Sequence, residues 1–162
     1  MIIDSSTLIL LAKSELLDVF IDSSKKKILV TGRIKIESTA KKGSFDAGLI
    51  EQRIKEKKIL VEKIKDTSFY NKLLEDFNLG QGEAEAIVLA LEKNALLLSD
   101  DKKAINACKI FNIKFATALN VLVELYKRKI MGKERAKLAL KKLKQIGRYS
   151  EELINKAEDD LK

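Results

Sequence analysis

The sequence predicts an α/β fold in which helices pack around a parallel sheet of about five strands. Short β-rich apolar runs alternate along the chain with longer stretches of helical spacing. The runs are apolar at successive positions, which is typical of strands that are buried on both faces. Such alternation favours a parallel sheet whose strands are joined by helical crossovers. The predicted strands are residues 1–3, 28–31, 59–61, 95–98 and 114–116.

The length of 162 residues corresponds to a single domain, and no linker rich in proline, glycine or serine divides it. Gly132 and Gly147 delimit a predicted helix over residues 133–146. Ser150, followed by two glutamates, predicts the start of a last helix that reaches residue 161. We therefore expect a main domain over residues 1–130 and a helical extension over residues 131–162 that packs on it.

The positive charge is concentrated in one part of the chain. The net charge is +8, and residues 127–148 contain ten lysines and arginines and one acid, Glu134. This segment therefore carries +9, and the rest of the chain is close to neutral. Concentrated basic charge favours a polyanionic partner such as a nucleic acid. A solvated lysine-rich helix face explains the same charge equally well.

The composition also excludes several classes of protein. The chain has no histidine and a single cysteine, so imidazole-based catalysis and an internal disulfide are excluded. No apolar run reaches the roughly 18–20 residues that a membrane-spanning helix needs. We read the apolar N-terminus as a strand and a helix, not as a signal peptide. These features predict a cytoplasmic protein without membrane contact.

Three aspartates lie just after predicted strands. Asp4 follows the first strand, and Asp100 and Asp101 follow the fourth. Ligands of open α/β sheets bind at the carboxyl ends of the strands, so these carboxylates are candidate ligands or catalysts. Each could instead only cap the helix that follows it. One of the paired aspartates could serve as a cap while the other faces the cleft.

Two glutamates are further candidates. Glu83 lies in the first turn of a predicted helix and, at roughly 100° per residue, on the same face as Ile87 and Ala90. Glu85 is expected on the solvent side of that helix. A carboxylate on an apolar face is costly unless it is paired, and a metal ion would pair it. Glu37 follows the second strand and could equally be a solvated helix residue.

Taken together, the four carboxylates of Asp4, Glu37, Glu83 and Asp101 can meet at one edge of the sheet. Clustered like charges repel one another unless a cation lies between them. Oxygen ligands without histidine or cysteine select hard ions such as Mg²⁺ or Mn²⁺. Sites of this kind drive the attack of water on a phosphodiester.

The same residues carry a family resemblance. The opening IIDSS, the block GEAEAI at residues 82–87 and the sequence LLSDD at residues 97–101 resemble PIN-domain proteins, and the GEAEAI helix resembles a prokaryotic PIN-like subgroup. The ending GRYSEEL at residues 147–153 resembles the C-terminal segment of that subgroup. The resemblance covers almost the whole chain.

The resemblance implies a three-layer α/β/α Rossmann-like PIN fold and a ribonuclease that depends on Mg²⁺ or Mn²⁺. It also implies a homodimer and, as in VapC-type toxins, an antitoxin protein that blocks the site. The family's four acids fall on Asp4, Glu37, Glu83 and Asp101. The resemblance also implies supporting hydroxyls, which fall on Ser6 and Ser99. Asp100 is a further candidate metal ligand beside them.

These observations predict an endoribonuclease, which could be the toxin of a toxin–antitoxin pair. The basic segment is expected to hold RNA through a set of residues near its start: Lys127, Arg128, Lys129, Lys133 and Arg135. The third family acid is often an aspartate, and here it is Glu83. This departure keeps open a catalytically degenerate module that binds nucleic acid or protein. A nuclease that acts on DNA is a third possibility.

Overall fold

The computed structural model describes residues 1–162 and contains a single sheet of five parallel strands. Each predicted strand is present within two residues of its expected bounds, because the apolar runs are the segments that the sheet buries. The predicted α/β class with a parallel five-stranded sheet is therefore confirmed. The strands are β1 (Ile2–Ile3), β2 (Ile28–Thr31), β3 (Ile59–Glu62), β4 (Leu97–Leu98) and β5 (Phe115–Ala116).

Ten helices connect and cover the strands, and none of them combines the length and apolarity that a membrane crossing requires. Most begin at a Ser, Thr or Asp whose side chain accepts a hydrogen bond from the first turn. The helices are α1 (Ser5–Lys13), α2 (Leu17–Ser23), α3 (Gly32–Ser38), α4 (Phe45–Lys55), α5 (Thr67–Phe77), α6 (Gln81–Glu92), α7 (Lys102–Ile110), α8 (Ala118–Lys127), α9 (Lys133–Ile146) and α10 (Glu151–Asp160).

The order of the strands in the sheet is β3-β2-β1-β4-β5. The chain builds outward from β1 through β2 to β3, and then crosses back to place β4 on the other side of β1. The strand order therefore reverses between β1 and β4. In open α/β sheets, the crevice at the carboxyl ends of the strands beside such a reversal is the usual ligand site.

Both faces of the sheet are covered. Successive strand residues point to opposite faces, and both residues of β1 and both of β4 are at most 1% exposed. Helices must therefore lie on both sides, which gives the three-layer α/β/α arrangement. The edge strands β3 and β5 are less buried, as the exposed side chain of Val61 shows.

The two C-terminal helices pack on this core. α9 contacts α8 and α1, and α10 contacts α9 and α8. Leu140, Leu143 and Ile154 are buried in the same apolar cluster as the strand residues. The chain thus returns along α9 from the end of α8 to the carboxyl edge of the sheet, where Tyr149 contacts Asp100.

We expect the helices α9 and α10 to unfold together with the sheet. Leu143→Ala, which removes a side chain that is fully buried, should lower the free energy of unfolding by about 3 kcal/mol. Leu138→Ala on the exposed face of the same helix should change it by less than about 0.5 kcal/mol. Urea unfolding followed by circular dichroism measures both. Two separate transitions would show that the extension folds independently.

Candidate functional site

Asp4 lies at the switch point of the sheet, directly after β1. The register pairs Ile3 with Leu98, so Asp4 lies beside Ser99 on the neighbouring strand. The Asp4 carboxylate accepts hydrogen bonds from the hydroxyl of Ser99, from the backbone N–H of Thr7 at 2.8 Å and from the hydroxyl of Ser6 at 3.1 Å. Asp4 therefore caps α1, which was one of the two roles that the sequence left open. It is also only 1% exposed, and its bond to Ser99 connects it to the end of β4.

Asp100 is held by donors from three different elements. Its carboxylate accepts from the hydroxyl of Thr7 at 2.9 Å, from the backbone N–H of Ala118 at 3.1 Å and from the hydroxyl of Tyr149 at 2.5 Å. Both of its oxygens are engaged by these contacts. Asp100 thus connects α1, α8 and the segment after α9. Its role as a metal ligand stays a prediction.

Asp101 and Glu83 each occupy a helix start. Asp101 caps α7 by accepting from the backbone N–H groups of Lys103 and Ala104 at 2.8 and 2.9 Å. Glu83 lies in the first turn of α6 and accepts from the N–H of Gly80 at 2.9 Å. Both carboxylates line one groove together with Asp100. Glu83 is only partly buried, because its carboxylate turns back toward the start of α6 and away from the apolar face.

Glu37 comes from α3 and reaches the same region. Its carboxylate accepts from the hydroxyl of Ser5 at 2.8 Å and pairs with Arg33 at 3.3 Å. It also packs against Gly82 in α6, where a Cβ atom would overlap the Glu37 oxygens and lie 3.0 Å from the carboxyl carbon. The glycine of the GEAEAI block therefore leaves room for the Glu37 side chain. Because residue 82 has no side chain, α3 and α6 can pack closely at this site.

The electrostatics of this edge disfavour negative charge. Burial raises the pKa of Asp4 to about 6, although the hydrogen bonds from Ser99 and Thr7 oppose the shift. Burial also raises the pKa of Glu83, and the charges of Asp101 and Glu37 add to the effect. Burial likewise raises the pKa of Asp100. A cation placed among these groups would relieve the repulsion.

The fold and the acids together match a known family. A model of the PIN-domain family matches residues 1–162. The chain belongs to the PIN-domain family. Comparisons with curated proteins and with solved structures gave no match. Family membership confirms the predicted PIN fold, and PIN domains are in general nucleases that use divalent metal ions.

The donor set of this PIN domain suits such an ion by its chemistry. All the candidate ligands are carboxylates, and oxygen donors are what Mg²⁺ and Mn²⁺ prefer. The side chains as placed do not form a metal centre, because no group of three or more acidic residues converges closely enough to hold an ion. The carboxylates instead accept hydrogen bonds from different backbone N–H groups and hydroxyls, which orient them in different directions.

The five basic residues predicted to hold RNA lie away from the acids of the PIN domain. Arg128 lines a cavity with Met1 and Lys26, which precede β1 and β2, so it lies toward the amino ends of the strands. Arg135 lies beside Glu15, just after the end of α1.

Two of the other basic residues already have partners within the protein. Lys127 pairs with Asp160 at 2.5 Å, and Lys133 donates to the backbone carbonyl of Lys162 at 2.9 Å. Lys129 follows Arg128 directly. Their role in RNA binding stays a prediction.

Several residues that shape the site were not singled out by the sequence. Ser5 and Thr7 contact Glu37 and Asp100, so all three consecutive hydroxyls after Asp4 contact an acid. That run of hydroxyls was a visible signal. Tyr149 lies in the GRYSEEL segment, but nothing in the local sequence says that its hydroxyl reaches a residue 49 positions earlier.

The buried Asp4 carboxyl should make the stability of the metal-free protein depend on pH. Its pKa rises from 3.8 to about 6 on folding, so the folded state binds the proton more tightly. The free energy of unfolding should therefore fall by about 2 kcal/mol as the pH rises from about 4 to about 7. Asp4→Asn should remove this component.

Thermal unfolding in EDTA at pH 4, 5, 6 and 7 measures the effect. Asp4→Asn should be more stable than the unsubstituted protein at pH 7, and the difference should shrink toward pH 4. Asp76→Asn, at an exposed aspartate without an ion pair or hydrogen bond, is the matched control and should leave the pH profile unchanged. A pH profile of Asp4→Asn that parallels the unsubstituted protein would contradict the buried charge.

Proposed function

We propose that this PIN domain is an endoribonuclease that depends on Mg²⁺ or Mn²⁺ and cuts phosphodiester bonds at Asp4, Glu37, Glu83 and Asp101. The observation that carries the proposal is that these acids, which come from four different helices or helix starts, all lie at the carboxyl edge of the sheet beside the point where the strand order reverses. Of the four, only Glu37 forms an ion pair. Such an excess of unpaired carboxylate suits a cation-binding site.

In this proposal, Asp4, Glu83 and Asp101 hold the metal, which activates water and stabilises the leaving oxygen when bound. Ser99 and the N–H of Thr7 fix the orientation of the Asp4 carboxylate. Ser5 fixes Glu37, whose second oxygen pairs with Arg33. Glu37 is thereby placed to accept a proton from the attacking water, since a positioned carboxylate can serve as general base.

The first test is the cleavage of a mixed RNA pool by the purified protein with Mn²⁺ or with EDTA. Asp4→Asn and Asp101→Asn should each lower the rate by about 100-fold or more, because loss of a metal ligand removes several kcal/mol of transition-state stabilisation. RNA binding should remain. Asp76→Asn is the control that removes an exposed carboxylate, and it should cut normally.

Three results of these digestions would contradict parts of the proposal. Normal cutting by both Asp4→Asn and Asp101→Asn would contradict the four-acid site. Parallel digestion of RNA and DNA oligonucleotides of the same sequence tests the nucleic acid, and a clear preference for DNA would overturn the assignment to RNA. The presence of cutting in EDTA would overturn the dependence on metal.

Gly82→Ala should separate stability from activity. A Cβ at this position overlaps the Glu37 carboxylate, which is the mobile end of a side chain and can move aside. Alanine within a helix is favoured over glycine by up to about 1 kcal/mol, so the protein should stay folded. Cleavage should nevertheless fall as it does in Glu37→Gln, because the same carboxylate is displaced.

A double-variant cycle checks this reasoning. If Gly82→Ala acts through Glu37, then combining it with Glu37→Gln should lower the cleavage rate no further than Glu37→Gln alone. Rates that multiply in the double variant would indicate that Gly82 acts independently of Glu37. Urea unfolding of all three variants controls for loss of folded protein.

A second candidate function is a binding module whose catalytic cluster is degenerate. The observation that favours it is that Asp101 and Glu83 are engaged as helix caps and that no three acids converge. Isothermal titration with Mn²⁺ discriminates between the two candidates. Saturable binding that is lost in Asp4→Asn supports the nuclease, and no binding supports the module.

Three other parts of the proposal rest on the family resemblance alone. They are the role as the toxin of a toxin–antitoxin pair, the antitoxin partner and the homodimer. A cytoplasmic location rests on the composition. Light scattering of the purified protein measures the oligomeric state, and a monomer at all concentrations would overturn the dimer.

A further inference from the structure

A groove of about 410 Å³ runs beside the acids, between α1 and the segment that follows α9. Its lining includes two acids at helix starts, Glu83 and Asp101. It also includes two cations, Lys13 from the last turn of α1 and Arg148. The rest of the lining is formed by Ser6, Ile9, Leu10, Asp100, Ile146 and Gly147.

The two cations of this groove have no partner within the protein. Lys13 and Arg148 are both exposed, and neither forms an ion pair or a side-chain hydrogen bond. By contrast, Arg33 pairs with Glu37 and Arg53 pairs with Asp18. The cations of the groove therefore line it together with the acids but do not pair with them, which leaves their hydrogen-bond donors available to a ligand in the groove.

The backbone on both sides of Arg148 is anchored. The N–H of Gly147 donates to the carbonyl of Leu143 at 2.7 Å, and the hydroxyl of Tyr149 donates to Asp100 at 2.5 Å. Gly147 allows this turn, because a Cβ there would overlap the ring of Tyr149 and lie 2.8 Å from the Leu143 carbonyl oxygen. Arg148 is thus held at the rim of the acidic groove by contacts that do not involve its own side chain.

Lys13 is directed toward the same place by the geometry of α1. Ser6, Leu10 and Lys13 recur at i, i+4 and i+7, so they form one stripe along the helix. Helical side chains lean toward the N-terminus of their helix, and the N-terminus of α1 is the end that carries Asp4. The four-carbon side chain of Lys13 can therefore reach along the groove in the direction of the acids, and Lys13 lines that groove.

We propose that Arg148 and Lys13 form a binding site for a backbone phosphate of single-stranded RNA, next to the phosphate that the acids cut. The inference rests on the proposed nuclease function. The planar guanidinium can donate two parallel hydrogen bonds to phosphate oxygens, and the ammonium adds a point charge. These cations offset the repulsion that Glu83 and Asp101 exert on an approaching RNA chain. Arg148 and Lys13 line the same groove as the acids, whereas the basic residues near the start of α9 lie elsewhere.

The test is the binding of a short fluorescent single-stranded RNA in EDTA, measured by anisotropy at several salt concentrations. Arg148→Gln and Lys13→Gln should each weaken binding roughly tenfold at low salt and reduce the slope of log K against log salt by about 0.7. Lys109→Gln removes one exposed, unpaired charge at the far end of α7 and is the matched control. It should leave the slope nearly unchanged.

Two further variants test the anchoring of Arg148. Arg148→Lys keeps the charge and should keep the salt slope while it recovers part of the affinity. Tyr149→Phe keeps both cations but removes the hydrogen bond to Asp100. It should weaken binding by roughly threefold with an unchanged salt slope, because the contact remains but is less well positioned.

Failure of this site is distinguishable from failure of the nuclease. If Arg148→Gln and Lys13→Gln bind RNA as Lys109→Gln does, the phosphate site is overturned, while metal-dependent cleavage by the unsubstituted protein still supports the nuclease. If the unsubstituted protein neither binds nor cuts RNA, both proposals fail. Loss of affinity and slope in the two groove variants, with the control unchanged, supports the phosphate site.

Discussion

The hydrogen bonds of the Asp4 carboxylate join the two strands at the centre of the sheet to the helix that follows the first of them. Ser99 reaches this carboxylate from the end of β4, and the N–H of Thr7 reaches it from the first turn of α1. A carboxylate buried in this way is stable only when its hydrogen bonds are satisfied or its charge is compensated. The position of β4 relative to β1, the start of α1 and the orientation of the acid therefore depend on one another.

Asp100 extends this connection to the C-terminal part of the chain. It accepts from Thr7 in α1, from the first N–H of α8 and from Tyr149 beyond α9. Residues that are far apart in sequence thereby share one carboxylate, which fixes the end of α9 beside the acidic edge. This explains how a helical extension can contribute to the site: α9 begins near the amino ends of the strands and delivers Arg148 to their carboxyl ends. The extension reaches the site through the residues that directly follow α9, whereas the basic residues near the start of α9 lie away from the acids.

Much of the fold follows from local sequence, whereas the contacts within the site do not. The apolar runs place the five strands, because the inner strands are buried on both faces and must therefore be apolar at successive positions. Asp4 and Asp101 are identifiable as strand-end acids for the same reason. The sequence does not say which strands are neighbours, so the pairing of Asp4 with Ser99 depends on the strand order. Nor does it reveal that Gly82 accommodates Glu37, because that contact joins helices 45 positions apart in the chain.

The dual use of the acids explains how so many carboxylates can gather in one place. Asp101 and Glu83 each accept from backbone N–H groups at a helix start, where the helix dipole supplies partial positive charge. A cap of this kind contributes about 1 kcal/mol, which is small enough for another ligand of the carboxylate to replace it. The caps can therefore hold the acids apart without binding them permanently. Helix starts at the switch point thus supply both the carboxylates and the partial charges that stabilise them.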